Sequence, residues 1–187
     1  MNKFVLHQLK EIQRNRHLTV CSRLISWLER EPFLYRLITC DEKWILFDNS
    51  RRTGQWSDAG ESPEHNPKPP LHLKDLMVAL WWSTKDVIHY SFLQQGKTVT
   101  ATSYCQETDC MHEKLKKKRP RLVNRDGPIL LHDNAQLHTS QATVHKLQSL
   151  NYEILVHPLY SSDITPTGYH IFKHFELAKC NKTFLNT

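Results

Sequence analysis

The sequence predicts a mixed α/β fold: an antiparallel three-stranded meander, then alternating helices and strands, with a helical arm in front. Three observations predict it. Residues 33–93 hold three β-type runs divided by turn-rich spacers. Residues 101–179 alternate between helical spacing and short apolar runs. Residues 1–31 contain neither Gly nor Pro. Closely spaced strands pair as antiparallel neighbours, whereas strands separated by helices build a sheet with helices on it.

The first element is "FVLHQLKEIQRNRHLTVCSRLISWLERE", where Leu24, Ile25 and Leu28 form a helical cluster and Pro32 ends the pattern. In "FLYRLITCDEKWILFDN" (33–49), partial alternation sets Leu37, Thr39, Asp41, Lys43, Ile45 and Phe47 on one face. "RRTGQWSDAGESPEHNPKPPLHLK" is turn-rich, with room for a short strand around Trp56. "DLMVALWWS" (75–83) and "VIHYSFL" (87–93) complete the meander. Residues 101–118 read as a helix stopped by Pro120. "GPILLHDN" (127–134) reads as a buried strand, "SQATVHKLQSL" (140–150) as a helix and "YEILVHP" (152–158) as another strand. A last helix begins at Pro166, with proline near its first turn.

A length of 187 residues suits one domain of moderate size with a short arm. Hydrophobic residues make up 39%, which excludes a disordered chain. The net charge of +6 favours a polyanionic partner, nucleic acid above all. Cys21, Cys40, Cys105, Cys110 and Cys180 are odd in number and irregular in spacing, so they read as reduced thiols of an intracellular protein. Cys105, Cys110 and His112 lack a fourth ligand for zinc. The N-terminus has no apolar signal region, and no run is long enough to span a membrane, so no membrane partner is expected.

Two aspartates stand out by position. Asp41 lies inside the first strand among apolar residues, and Asp133 ends the buried run "ILLHD". A carboxylate there costs desolvation unless it is paired or holds a metal. If the two strands are neighbours, both converge into an all-oxygen site for a hard divalent cation. The other reading makes Asp41 a salt-bridged strand residue and Asp133 a helix or turn cap. His170 and His174, four apart on the last helix, and His132 and His138, which flank Asp133, are a rival metal set without any "HExxH" pattern. The run "KLKKKRPR" offers Lys114, Lys116, Lys117, Lys118, Arg119 and Arg121 for phosphate contact or nuclear import, or simply as a solvated helix end.

"CDEKWILFDN", "HNPKPPLH", "GPILLHDNAQLH" and "HPLYSSDITPTGYHIFKH" occur in this order. Together they resemble the catalytic domain of the mariner transposases. The resemblance implies an RNase H-like mixed sheet and a carboxylate triad that cuts and rejoins DNA with Mg²⁺ or Mn²⁺. Asp41 and Asp133 match the first two acids. The third lies 34 intervening residues after the second, and that count lands on Gly168. The family pattern "YSPDLAPSDYHLF" reads "YSSDITPTGYHIF" here, so Asp163 matches the earlier, non-catalytic acid and instead serves turn or cap chemistry. Two aspartates can still hold one ion, while a second site is expected to be weak and cleavage impaired. The resemblance further implies DNA as partner, a homodimer, a nuclear location and no small-molecule substrate. It divides the chain into a helical arm (1–31) and a catalytic domain (32–187) that stops short of the family's last helices and lacks its helix-turn-helix region.

Overall fold

The computed structural model describes residues 9–46, 75–93, 97–161 and 163–179. Helix α1 (Glu11–Arg30) opens the chain, with the Gln13 side chain accepting from Lys10 N at 2.8 Å and Arg30 in its last turn. The meander follows as β1 (Leu37–Leu46), β2 (Asp75–Ser83) and β3 (Val87–Leu93). Then come α2 (Ala101–Lys118), β4 (Ile129–Leu131), α3 (Gln136–Thr139), α4 (Gln141–Ser149), β5 (Glu153–Ile154) and α5 (Lys173–Lys179). Thr100 caps α2 by accepting from Ser103 N, and Ser140 caps α4 by accepting from Thr143 N, so both helices start where a short hydroxyl side chain replaces the missing backbone partner.

The strands form one five-stranded sheet in the order β3-β2-β1-β4-β5. β1 is antiparallel to β2 and parallel to β4, and β4 is parallel to β5. This is the RNase H-like mixed sheet, and it agrees with the fold class read from the sequence.

Alternation gives the sheet two apolar faces. Ile38, Cys40, Trp81 and Leu130 meet Tyr104, Met111, Leu115 and Leu147 of α2 and α4. Leu37, Ile129 and Leu131 lie on the other face with Phe33, Leu155 and the α1 residues Leu24 and Trp27. Trp27 of α1 stacks on Phe33 with centroids 4.1 Å apart. No residue of α1 is buried, and Ile12, Leu18 and Ile25 face solvent.

Several boundaries differ from expectation. The first strand run begins with a 3-10 turn, Leu34–Arg36. The run "YEILVHP" contributes only two strand residues, because β4 itself pairs over three. The last helix opens with a π-helical turn, Thr167–Phe172, and a second π turn spans Leu122–Asp126. The latter ends at Gly127, whose φ of 74° lies in the left-handed region and whose carbonyl accepts from Arg36 Nε. The strand expected near Trp56 falls outside the described residues. Among the described residues, no helix is long and apolar enough to cross a membrane.

Candidate functional site

The β1–β4 ladder pairs Leu37 with Ile129 and Thr39 with Leu131. Beyond the last pair, Asp41 lies two residues further along β1 and Asp133 two residues past the end of β4, close enough for the charge of Asp133 to act on Asp41. Alternation turns Asp41 toward the face that carries Thr39. The sequence left convergence conditional on β1 and β4 being neighbours, and they are.

The segment with Gly168 closes this face. Thr39 Oγ1 lies 2.9 Å from Thr167 Oγ1, and Trp82 Nε1 donates to the same Thr167 oxygen at 2.9 Å. Two residues past Asp41, Lys43 Nζ stands 2.9 Å from Glu176 Oε1 and over the Phe172 ring. Asp41 therefore lies between two points where β1 touches the π turn and α5. π turns recur at functional sites, where the wider turn re-aims side chains. At Gly168 no side chain enters, and a Cβ built there meets nothing within 4 Å.

The two carboxyls are in opposite electrostatic states. Burial pushes Asp41 up, and the charge of Glu42 adds to it, to about 6. The backbone N–H of Glu42 donates to Asp41 Oδ1 at 2.9 Å and offsets only part of that shift. Asp133 is held down at about 2, chiefly by the hydrogen bond from His138 Nδ1 at 2.6 Å. The backbone N–H of Ala135 adds a second bond to the same Oδ1 at 2.9 Å. Burial pushes His138 down, but Asp133 and Glu42 outweigh it and raise it to about 9. Its Nε2 stands 3.5 Å from Glu42 Oε1, an ion-pair distance without hydrogen-bond geometry. His132 is buried neutral, lowered by burial to about 3, with Nδ1 3.2 Å from Tyr104 Oη.

Two hard oxygen donors that repel each other suit one divalent cation. They do not match a pair of ions, and among the described residues no cluster of three His, Cys, Asp or Glu side chains is arranged for a metal. The rival histidines divide. His132 and His138 lie tilted with centroids 4.7 Å apart, while His170 of the π turn and His174 of α5 meet edge to face at 5.1 Å. Cys105, Cys110 and His112 form no metal cluster, and Cys21, Cys40, Cys105 and Cys110 are free thiols. Asp163, expected in turn chemistry, reaches across to α1 and pairs with His17 Nε2 at 3.1 Å.

The basic run divides as well. Lys118 and Arg119 both bind Asp86 at the β2–β3 turn, and Arg119 also donates to Ser83 Oγ. Lys114 Nζ donates to His89 Nδ1 at 2.7 Å, and Arg121 lies 3.6 Å from Asp126. Lys116 and Lys117 are exposed and, among the described residues, make no ion pair. Sequence reasoning did not single out Glu42 or Thr167. Their roles depend on reach across strands, although "HDNAQLH" did place His138 five residues after Asp133.

Comparisons with known proteins bear on the family and the fold. The family described as Transposase (partial DDE domain) matches residues 46–125. The chain is 53% identical over 186 residues to the histone-lysine N-methyltransferase SETMAR of Homo sapiens, covering 100% of this chain and 27% of that protein. It is 35% identical to the mariner Mos1 transposase of Drosophila mauritiana, covering 98% of this chain and 54% of the relative. The chain thus spans about half or less of the length of these two relatives. The crystal structure of the Mos1 catalytic domain superimposes with a TM-score of 0.81 at 35% identity, over 98% of this chain and 79% of that one. The Mos1 paired end complex with Mn gives 0.89 at 36%, over 100% of this chain and 54% of that one. The chain belongs to the mariner transposase family, and its sheet and helices are those of the family's RNase H-like catalytic domain.

Proposed function

We propose that this chain is a mariner-derived DNA-processing domain that binds a divalent metal, Mg²⁺ or Mn²⁺, through Asp41 and Asp133. Its strand cleavage and transfer chemistry is impaired at Gly168. The observation that carries the reading is that Asp41 on β1 and Asp133 just past the end of the neighbouring β4 lie close enough for the charge of one to act on the other; where the family pattern has its third acid, this sequence has Gly168. The metal supplies charge for the attacking and leaving oxygens of a phosphodiester. Around it, Asp41 and Asp133 orient the ligand set, and Thr39 and Thr167 fix the wall. Without a third acid the second ion is held weakly, and a loss of several kcal/mol of transition-state stabilisation slows cutting by orders of magnitude.

DNA is the proposed partner, engaged partly through the exposed basic residues, in a nuclear setting and as a homodimer. Support comes from the net charge of +6 and from a similar Mos1 structure described as a paired-end complex with the left transposon end. Residues 1–31 serve as an arm on the catalytic body formed by 32–187. A second reading, a non-catalytic DNA-binding or protein-interaction remnant of a domesticated or decaying transposon, is favoured by Gly168 itself.

Supercoiled plasmid with Mg²⁺ or Mn²⁺ separates the two readings. Weak nicking that is abolished in Asp41→Ala and Asp133→Ala and raised in Gly168→Asp supports the first. No nicking even in Gly168→Asp rejects it in favour of the second.

A further inference from the structure

Among the described residues, Asp133 is anchored through one oxygen only. Its Oδ1 takes both the His138 Nδ1 contact at 2.6 Å and the Ala135 N–H at 2.9 Å, and among the described residues Oδ2 accepts no hydrogen bond. His138 is itself immobilised. Its side chain is 1% exposed and packs between the Tyr104 ring at 4.5 Å and the His132 ring at 4.7 Å. Its backbone N–H donates to Ala135 O at 2.9 Å, so the same short turn fixes both ends of the contact. On its far side stands Glu42, next in sequence to Asp41 but on the opposite face of β1, with 15% of its side chain exposed.

We propose that His138, backed by Glu42, is a positioning residue that fixes Asp133 Oδ1 and leaves Oδ2 as the oxygen presented to a divalent cation. A carboxylate free to rotate loses entropy when it takes a ligand; one already clamped does not. Imidazole–carboxylate contacts behind a metal ligand commonly contribute 10–100-fold in affinity. Because Asp41 and Glu42 are neighbours in β1, one strand supplies a ligand to one face and support for the other ligand to the opposite face. The opposing possibility is that the His138 cation competes with the metal for Asp133. The two ideas predict opposite signs. This inference rests on the metal-binding reading of Asp41 and Asp133.

The test is Mn²⁺ affinity, measured on the whole chain by isothermal titration calorimetry and by the electron paramagnetic resonance signal of free Mn²⁺. Thermal melts of each variant without metal serve as the folding control. His138→Ala is expected to weaken Mn²⁺ by about 10-fold or more. His138→Asn, whose amide N–H occupies nearly the place of Nδ1–H, is expected to recover most of that loss. Glu42→Gln, which keeps the Asp133 contact and removes only the support behind it, is expected to weaken Mn²⁺ by a smaller factor. If His138→Ala does not fold, the Asn and Gln variants carry the test. Unchanged or tighter binding in His138→Ala overturns the proposal, as does an Asn variant no better than Ala. Wild-type protein that binds no more Mn²⁺ than Asp133→Ala removes the metal reading itself, an outcome distinct from Mn²⁺ binding that depends on Asp133 but not on His138.

Discussion

The buried hydroxyl of Thr167 lies 2.9 Å from that of Thr39, while Trp82 Nε1 donates to the same oxygen at 2.9 Å. One side chain thereby ties the π turn to β1 and β2 and sets Gly168 beside the Asp41 face. Thr167→Ala leaves a buried hydroxyl and an indole N–H without their partner. A fully buried group costs about 1–3 kcal/mol and the part-buried indole less, so a loss of about 2–3 kcal/mol is expected. Thr167→Ser keeps the acceptor and is expected to lose less than about 1 kcal/mol. Urea midpoints at unchanged m-value measure both. Equal stability of the Ala variant and wild type would show that the tie is not energetically significant.

Gly168 tests the third wall directly. A Cβ there meets nothing within 4 Å, and its φ lies outside the left-handed range, so substitution brings neither clash nor backbone strain. Gly168→Ala is expected to stabilise by about 0.5–1 kcal/mol through the unfolded chain. If residue 168 faces the metal with Asp41 and Asp133, Gly168→Asp is expected to forfeit that gain without metal, because it adds a third carboxylate charge. Mn²⁺ should then raise its melting temperature more than that of wild type. A Mn²⁺ response equal to that of Gly168→Ala would place residue 168 away from the metal.

Asp41 carries a cost that a ligand would relieve. Its folded value is about 6, above the usual 3.8. The folded state therefore binds this proton more tightly than the unfolded chain, and the group's contribution to stability is lost as pH rises through about 6. Asp41→Asn keeps an acceptor for the Glu42 N–H and removes the charge. It is expected to melt higher than wild type at pH 7.5 without metal, the gap closing by about pH 4. Saturating Mn²⁺ should reverse the order at pH 7.5. Parallel melting curves for the two proteins across this range would contradict the assignment.

The sheet was legible where pattern and packing agree. Alternation in "LITCDEKWIL" found β1 and its faces because Leu37 and Ile38 bury on opposite sides of one strand. The "ILLHD" run marked β4 because all three strand residues are buried. The run "YEILVHP" promised more strand than exists, since only Glu153 and Ile154 find a partner on the short β4. The π turn at Thr167 left no trace; its side-chain partners Thr39 and Trp82 lie on other strands, contacts that local pattern does not encode. The sequence singled out both aspartates by their place on strand runs, whereas it gave no sign of the His138–Glu42 contact. Periodicity assigns faces, and this pair meets around the end of a strand.

The basic run yields the last prediction, because the structure gives its members different tasks. Lys118 and Arg119 hold the β2–β3 turn through Asp86. Burial pushes that carboxyl up, but the two cations outweigh it and keep it below the usual range. Lys114 donates to His89 Nδ1, which leaves Nε2–H to donate to Glu107 at 2.6 Å. Lys116 and Lys117 are exposed, with no ion pair among the described residues. If these two contact phosphate, Lys116→Ala/Lys117→Ala should leave the melting temperature unchanged, weaken binding to random-sequence duplex and flatten the log K against log salt slope by about 1.8. Arg119→Ala, which strips Ser83 and Asp86 of a donor, should instead cost about 1–2 kcal/mol of stability. Lys118→Ala is expected to cost less, since Lys118 and Asp86 are both partly exposed. Fluorescence anisotropy across a salt series, paired with thermal melts, reads both effects. A salt slope that responds to Lys118→Ala as strongly as to Lys116→Ala, without loss of stability, would overturn this division of labour.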